Sequence, residues 1–172
     1  MKLYASSIKT QMTYSLVRDT YFSVETQLTV RSGNISRGSL PDIIFECQQP
    51  AGPFNDVKHF HDCFATLNHL GPNAFLGPFR SGLLDDIPVI FAHSDLNRGN
   101  IMMRRDAEEI PRITGIIDWH ESGWYPASWE FYKTRWTASK GNDQWELEFV
   151  LEFLQAYRGY MSWEYFVHSL GY

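Results

Sequence analysis

Phe91-Ala-His-Ser-Asp-Leu-Asn-Arg-Gly-Asn-Ile-Met-Met103 and Ile113-Thr-Gly-Ile-Ile-Asp-Trp119 are the two segments from which the rest of the chain can be read. The first sets His93, Asp95 and Asn100 in the order H-x-D-x-x-x-x-N, and the second places Asp118 at the end of a β-like apolar run. This is the spacing of a phosphoryl-transfer loop and its metal carboxylate. Asn100 to Arg104 and Ile113 to Ile117 are apolar runs separated by the charged, Pro-containing stretch Arg105 to Arg112, so they read as a β-hairpin. Folded about its middle, with Met103 opposite Gly115 and Ile101 opposite Ile117, such a hairpin makes Asn100 and Asp118 cross-strand neighbours, with Cα atoms about 4.5 to 5.5 Å apart. One magnesium ion could then touch both side chains. Mg²⁺ takes oxygen ligands and commonly only one or two from protein, which an amide oxygen and a carboxylate supply.

Asp95 lies on the loop leaving the expected strand Ile87-Pro-Val-Ile-Phe91. A carboxylate there can accept a hydrogen bond from a substrate hydroxyl and orient it toward a γ-phosphoryl group, which makes Asp95 the candidate catalytic base. His93 is assigned a supporting role, holding the loop through a backbone hydrogen bond. The bland alternative is a loop whose Asp and Asn merely satisfy turn backbone.

His93 to Ile101, with Gly115-Ile-Ile-Asp-Trp119, Gly123-Trp-Tyr-Pro126 and Trp129-Glu130, closely resembles the aminoglycoside phosphotransferase and choline kinase group of protein-kinase-like enzymes, especially its fungal members. The resemblance runs from about Gly52 to about Trp136. It implies that Asp95 is the catalytic Asp, that Asn100 and Asp118 are the magnesium ligands, and that ATP and Mg²⁺ are the cofactors. Two positions depart from the group's pattern. Ser94 stands where Gly is usual, and Gly tolerates torsions that Ser does not. His120 stands where Glu is frequent.

The 172 residues carry 15 basic and 20 acidic side chains, a net charge of −5, with no long run of either sign, so nucleic acid is not an expected partner. A hydrophobic content of 44% excludes disorder, and an aromatic content of 16% favours a ring-rich core. No apolar stretch approaches a membrane span and no signal-peptide core opens the chain, so a soluble cytoplasmic protein is expected. Cys47 and Cys63 lie in unlike contexts and are expected to be reduced and buried.

Met12 to Val30 admits a helix or, from the alternation at Phe22, Val24, Thr26, Leu28 and Val30, a strand; the resembled group has a helix here. Arg31 to Pro41 is a loop. Asp56 caps a helix with Val57, Phe60, Phe64 and Leu67 on its core face and a stop at Gly71-Pro72. His59 and His61 within it are expected to be solvated or capping. All six Trp lie from residue 119 onward. Ala127 to Lys140 reads as a helix with Pro126 in its first turn and Trp129, Tyr132 and Trp136 on one stripe. Asp143-Gln-Trp-Glu146 opens a second helix, with Trp145, Phe149, Phe153, Leu154 and Tyr157 buried and Gly159 closing it. Tyr160 to Tyr172 is a last helical turn or two and a tail.

The expected fold is α+β and mainly helical: the C-terminal (large) lobe of a protein-kinase-like fold, with the catalytic loop carried on a small β-hairpin. Residues 1–50 form a connector and 51–172 the lobe. A Gly-rich strand-turn-strand and a strand Lys, which would cover the nucleotide, have no counterpart in the sequence. The expected function is ATP- and Mg-dependent phosphate transfer to a hydroxyl of a small molecule, incomplete in this chain. The alternative is an inactive free-standing lobe that binds a metabolite, or a protein partner covering its exposed cleft.

Overall fold

A computed structural model describes residues 31–46, 51–66, 76–140, 150–151 and 154–172. The helix expected within Met12 to Val30, the Gly71-Pro72 stop, the Asp143-to-Glu146 capping box, Cys47, Trp145, Phe149 and Phe153 lie outside them.

Two small antiparallel sheets and four helices make a mixed α+β arrangement among the described residues. In chain order the elements are β1 (Gly33–Asn34), α1 (Ile43–Glu46), α2 (Val57–Thr66), β2 (Val89–Ala92), β3 (Ile101–Arg105), β4 (Pro111–Ile116), β5 (Gly123–Pro126), α3 (Trp129–Lys140) and α4 (Tyr160–Ser169). Strand β5 lies between β1 and β2, pairing Ala92 with Gly123 and Val89 with Pro126. Gly123 is required where β1 crosses, since a Cβ there would meet the Gly33 carbonyl oxygen at 2.8 Å. Pro126 therefore ends a strand and does not open a helix as expected. It is tolerated because β1 pairs only with Gly123 and Trp124, leaving Pro126 beyond the three-stranded part.

The α2 helix begins as its sequence indicates, with Asp56 Oδ1 accepting the His59 N–H at 2.7 Å. Its Val57, Phe60 and Phe64 face the core. At the centre of that core stands Trp129, whose exposure is 0%. Its ring stacks on Tyr125 and Phe45 at centroid distances of 5.8 and 5.7 Å and meets the edges of Phe60, Phe64 and Trp163 at 4.9, 5.2 and 5.8 Å. The helical turn or two expected from Tyr160 extends to the ten-residue α4, with Tyr160, Trp163, Phe166 and Val167 buried. Gly159, at φ 100°, starts this helix and closes no earlier one; a Cβ there would meet the Gly82 carbonyl oxygen at 2.4 Å. Leu154 and Tyr157 are half-buried against the core, as is the Cys63 thiol, whose pKa burial pushes up. Among the described residues no helix is long and apolar enough to cross a membrane.

His61 corrects another expectation. His59 is exposed, but His61 is buried, with Nδ1 2.9 Å from Asp85 Oδ1. The cause is Arg80, which folds over that face of α2. Its Nε donates to Asp62 at 2.7 Å and its terminal nitrogen donates to both Asp85 oxygens at 2.9 and 2.8 Å. Burial holds the His61 pKa below its usual value, outweighing the upward pull of Asp85. The unfolded chain thus takes up this proton first. Stability contributed here is complete above about pH 6.5 and declines as pH falls below it. Asp62 and Asp85 extend the loss below about pH 4: burial raises their pKa values, but bonding to Arg80, with Lys58 or His61, brings both below normal. The part of the urea midpoint that His61 contributes should therefore drop between pH 7.5 and 5.5. His61→Asn, which retains a donor near the Nδ1 position, should flatten that slope; a slope equal to wild type would contradict the assignment.

Candidate active site

Strand β2 delivers the chain to a loop whose backbone is gripped from below. The His93 and Ser94 N–H groups both donate to Glu130 Oε2, at 2.6 and 3.0 Å. Ser94 sits at φ 65°, the left-handed region where the resembled group uses Gly. Its hydroxyl donates to Asp42 Oδ2 at 2.5 Å, an oxygen that also accepts Trp129 Nε1–H at 2.8 Å. The His93 ring has one tautomer that satisfies both its contacts. Nε2–H donates to the Ile117 carbonyl at 2.9 Å, and Nδ1 accepts the Asp95 N–H at 3.3 Å. His93 thus ties the loop to the segment leading into Asp118.

Asp95 is half-buried and held by two side-chain amides. Asn100 Nδ2 donates to its Oδ2 at 3.0 Å and to its carbonyl at 2.9 Å, and Asn97 Nδ2 donates to Oδ1 and to the same carbonyl, both at 3.2 Å. Asn97 Oδ1 meanwhile accepts the Gly99 N–H at 2.8 Å, capping the 3₁₀ turn Arg98–Asn100. The carboxylate is thereby fixed in direction while half-open to solvent.

The hairpin forms, but its register is one residue from that expected at Ile101 and two residues from it at Met103. Ile101 faces Ile116, Met102 faces Gly115, and a bulge leaves Thr114 unpaired before Met103 meets Ile113. The tip explains the offset. Asp106 Oδ1 accepts the Glu108 and Ile110 N–H groups at 3.0 and 2.9 Å, closing a loop that sets Arg105 against Pro111. Asn100 consequently bonds Ile117, whose N–H reaches the Asn100 carbonyl at 2.9 Å, and Asp118 is the next residue on. Asp118 takes left-handed backbone, φ 66° and ψ 58°, and presents a carboxylate that is 52% exposed. Its Oδ1 lies 2.7 Å from His120 Nδ1, and this contact holds the His120 pKa above normal. His93, Asp95, Asn100 and Asp118 are thus joined by hydrogen bonds through the Ile117 backbone into one locality.

A family model described as the phosphotransferase enzyme family, APH, matches residues 57–166, more than half of the chain. The chain belongs to that family. Membership implies a kinase-like fold and makes phosphate transfer the family's chemistry. No curated protein and no solved structure matches.

The matched span of this phosphotransferase-family chain contains every expected site residue. Their donor set suits a hard cation. Asn100 spends its Nδ2 on Asp95, and among the described residues no hydrogen bond engages its Oδ1. With the exposed Asp118 carboxylate this gives two oxygen donors beside a loop, a number Mg²⁺ accepts when phosphates and water complete its shell. Among the described residues no group of three His, Cys, Asp or Glu side chains forms a closed metal cage.

Four supporting residues went unassigned in the sequence: Asp42, Glu121, Glu130 and Lys133. Glu130 falls within the Trp129-Glu130 motif, which was a usable signal. Asp42 reaches Ser94 across 52 residues of chain, a separation with no local pattern. Burial pushes the Glu130 and Glu121 pKa values up. Burial works against the Lys133 charge, yet Asp42 and Glu121 outweigh it and hold its pKa above normal.

Ser94 balances two opposed terms. Left-handed backbone costs a non-Gly residue about 1 to 2 kcal/mol, while a hydrogen bond to a charged acceptor contributes about 1.5 to 3 kcal/mol. Ser94→Ala loses the bond and keeps the strain, whereas Ser94→Gly loses both. Chemical denaturation should find the Ala variant less stable than the Gly variant by about 1 kcal/mol or more. The reverse order would mean that Ser94 is unstrained.

Proposed function

We propose that this chain carries the acceptor-side and metal-binding machinery of a cytoplasmic phosphotransferase that moves the γ-phosphoryl group of ATP to a hydroxyl of a small molecule. The observation that carries this reading is the fixed Asp95 carboxylate. Two amides aim it, and one of them belongs to Asn100, adjacent to the backbone bond that leads to Asp118.

Asp95 accepts the hydrogen bond of the substrate hydroxyl and takes its proton as the oxygen approaches phosphorus. The bond between the γ-phosphorus and the β,γ-bridging oxygen breaks, the substrate O–P bond forms, and ADP leaves. Magnesium, when bound, neutralises the phosphate charge. Asn100 Oδ1 and the Asp118 carboxylate would hold it. Asn97 and Asn100 keep the Asp95 carboxylate directed, and His93 keeps the loop against Ile117.

Hairpin residues Met102, Met103 and Ile117, with exposures of 51, 60 and 44%, give apolar surface beside this site. In the enzyme reading a nucleotide-covering unit, from a longer protein or a second one, closes over them. The same exposed surface supports the other reading, a binding module whose partner takes that place.

Two measurements separate the readings. An antibody raised to this chain sizes the native protein: a band clearly above this chain's own mass places the covering unit in the same polypeptide. The native protein is then incubated with γ-labelled ATP, Mg²⁺ and a panel of amino-sugar and amino-alcohol hydroxyl compounds. Mg²⁺-dependent label in any of them supports the enzyme; label in none, with MgATP bound, favours the binding module.

A further inference from the structure

Below the catalytic loop lies a buried set of charges that the transfer chemistry leaves unused. Asp42 is fully buried just before α1, and its Oδ2 accepts Ser94 Oγ–H, Trp129 Nε1–H and, at 3.0 Å, Lys133 Nζ–H. Lys133, 3% exposed, also donates to Glu121 Oε2. Glu121 ends the 3₁₀ turn Trp119–Glu121 that Asp118 opens, and its other oxygen lies 3.6 Å from His120 Nε2.

We propose that Lys133 is a positioning residue of the phosphoryl-transfer site. Its ammonium, clamped between Asp42 and Glu121, sets the turn that begins at Asp118 against the loop that carries Asp95. The inference rests on the function proposed above. Trp129, Glu130 and Lys133 share one face of α3, at helical spacings of three and four. Trp129 and Glu130 grip the catalytic loop through Asp42, Ser94 and the His93 backbone. Lys133 extends this grip to the other half of the site. Asp118 depends on that turn for its place: its carboxylate is half-exposed, and its bonded partner, His120, belongs to the turn it opens. Stability alone is a poor reason for the arrangement, because a buried ion pair is often matched or bettered by apolar side chains of similar volume.

The test uses the full chain and Mn²⁺ as a spin-active stand-in for magnesium, with free Mn²⁺ followed by electron paramagnetic resonance. Partners one step behind a metal ligand commonly affect metal affinity by about 10-fold or more. Lys133→Met and Glu121→Gln are each expected to weaken Mn²⁺ binding about 10-fold, read well below the thermal midpoint of each variant. Glu121→Gln keeps the side-chain shape and the Lys133–Asp42 pair, so it decides the matter if Lys133→Met does not fold. A merely structural role would lower the midpoints and leave the affinity of the folded protein unchanged. If Asp118→Ala loses Mn²⁺ while both variants bind it like wild type, the inference is overturned and the proposed function stands. If Asp118→Ala binds Mn²⁺ like wild type, the metal assignment itself fails and the inference falls with it.

Discussion

Asp95→Asn is expected to lower phosphoryl transfer by the native protein about 10²- to 10⁴-fold, the usual contribution of a positioned general base. The substitution removes the proton acceptor and little else. Asp95 now accepts from Asn97 Nδ2 on one oxygen and from Asn100 Nδ2 on the other. An Asn in its place satisfies one of those donors and turns its own amide nitrogen toward the other. The lost bond is partly exposed, so the stability change should stay near the 0.5 to 1.5 kcal/mol of an ordinary hydrogen bond. The discriminating readout is therefore transfer of label from γ-labelled ATP, with MgATP affinity measured beside it. Transfer at the wild-type rate would remove Asp95 from the chemistry. A large loss of MgATP affinity would mean instead that the residue holds the loop or metal in place.

Trp129→Ala is expected to be among the most damaging core substitutions, costing about 3 to 5 kcal/mol. For a chain of this length that is a fall in thermal midpoint of roughly 10 °C. The ring is wholly buried among Phe45, Phe60, Phe64, Tyr125 and Trp163, and its N–H is one of three donors on Asp42 Oδ2. Deleting it opens a cavity and strips a donor from a buried carboxylate in one step. Trp129→Phe separates the two effects, since it keeps most of the packing and drops only the N–H. Circular dichroism melts should rank wild type, Phe and Ala in that order. A shift below about 1 kcal/mol for Ala would show that the core is not organised on this ring.

Much of the candidate site was legible because its residues are close in sequence. His93, Asp95 and Asn100 lie within eight residues, and the runs on either side of Arg105 to Arg112 announce a hairpin. The register was not legible, because it turns on the Asp106 carboxylate folding back on its own loop and on one unpaired residue, Thr114. Strand β5 was hidden for a related reason. Pro126 points to the first turn of a helix, and only the neighbours on both sides make Gly123 to Pro126 a strand. His61 was misjudged because alternation along α2 says nothing of Arg80, which covers it from another part of the chain. Helix α4 was expected only for a turn or two, although Tyr160, Trp163, Phe166 and Val167 at helical spacing carry its signal as far as Val167. Asp42 carried none. Its partners Ser94, Trp129 and Lys133 lie 52, 87 and 91 residues away, and such pairings exist only once the core has closed.

Asn100 and Asp118 are proposed to hold a divalent cation against the Asp95 loop. Calorimetric titration of the native protein with ATP, with and without Mg²⁺, for wild type and Asp118→Ala, tests it most directly. Wild type is expected to show saturable, Mg²⁺-dependent binding, which Asp118→Ala should weaken by at least about 10-fold. Equal affinity in the two proteins, or binding indifferent to Mg²⁺, would contradict it.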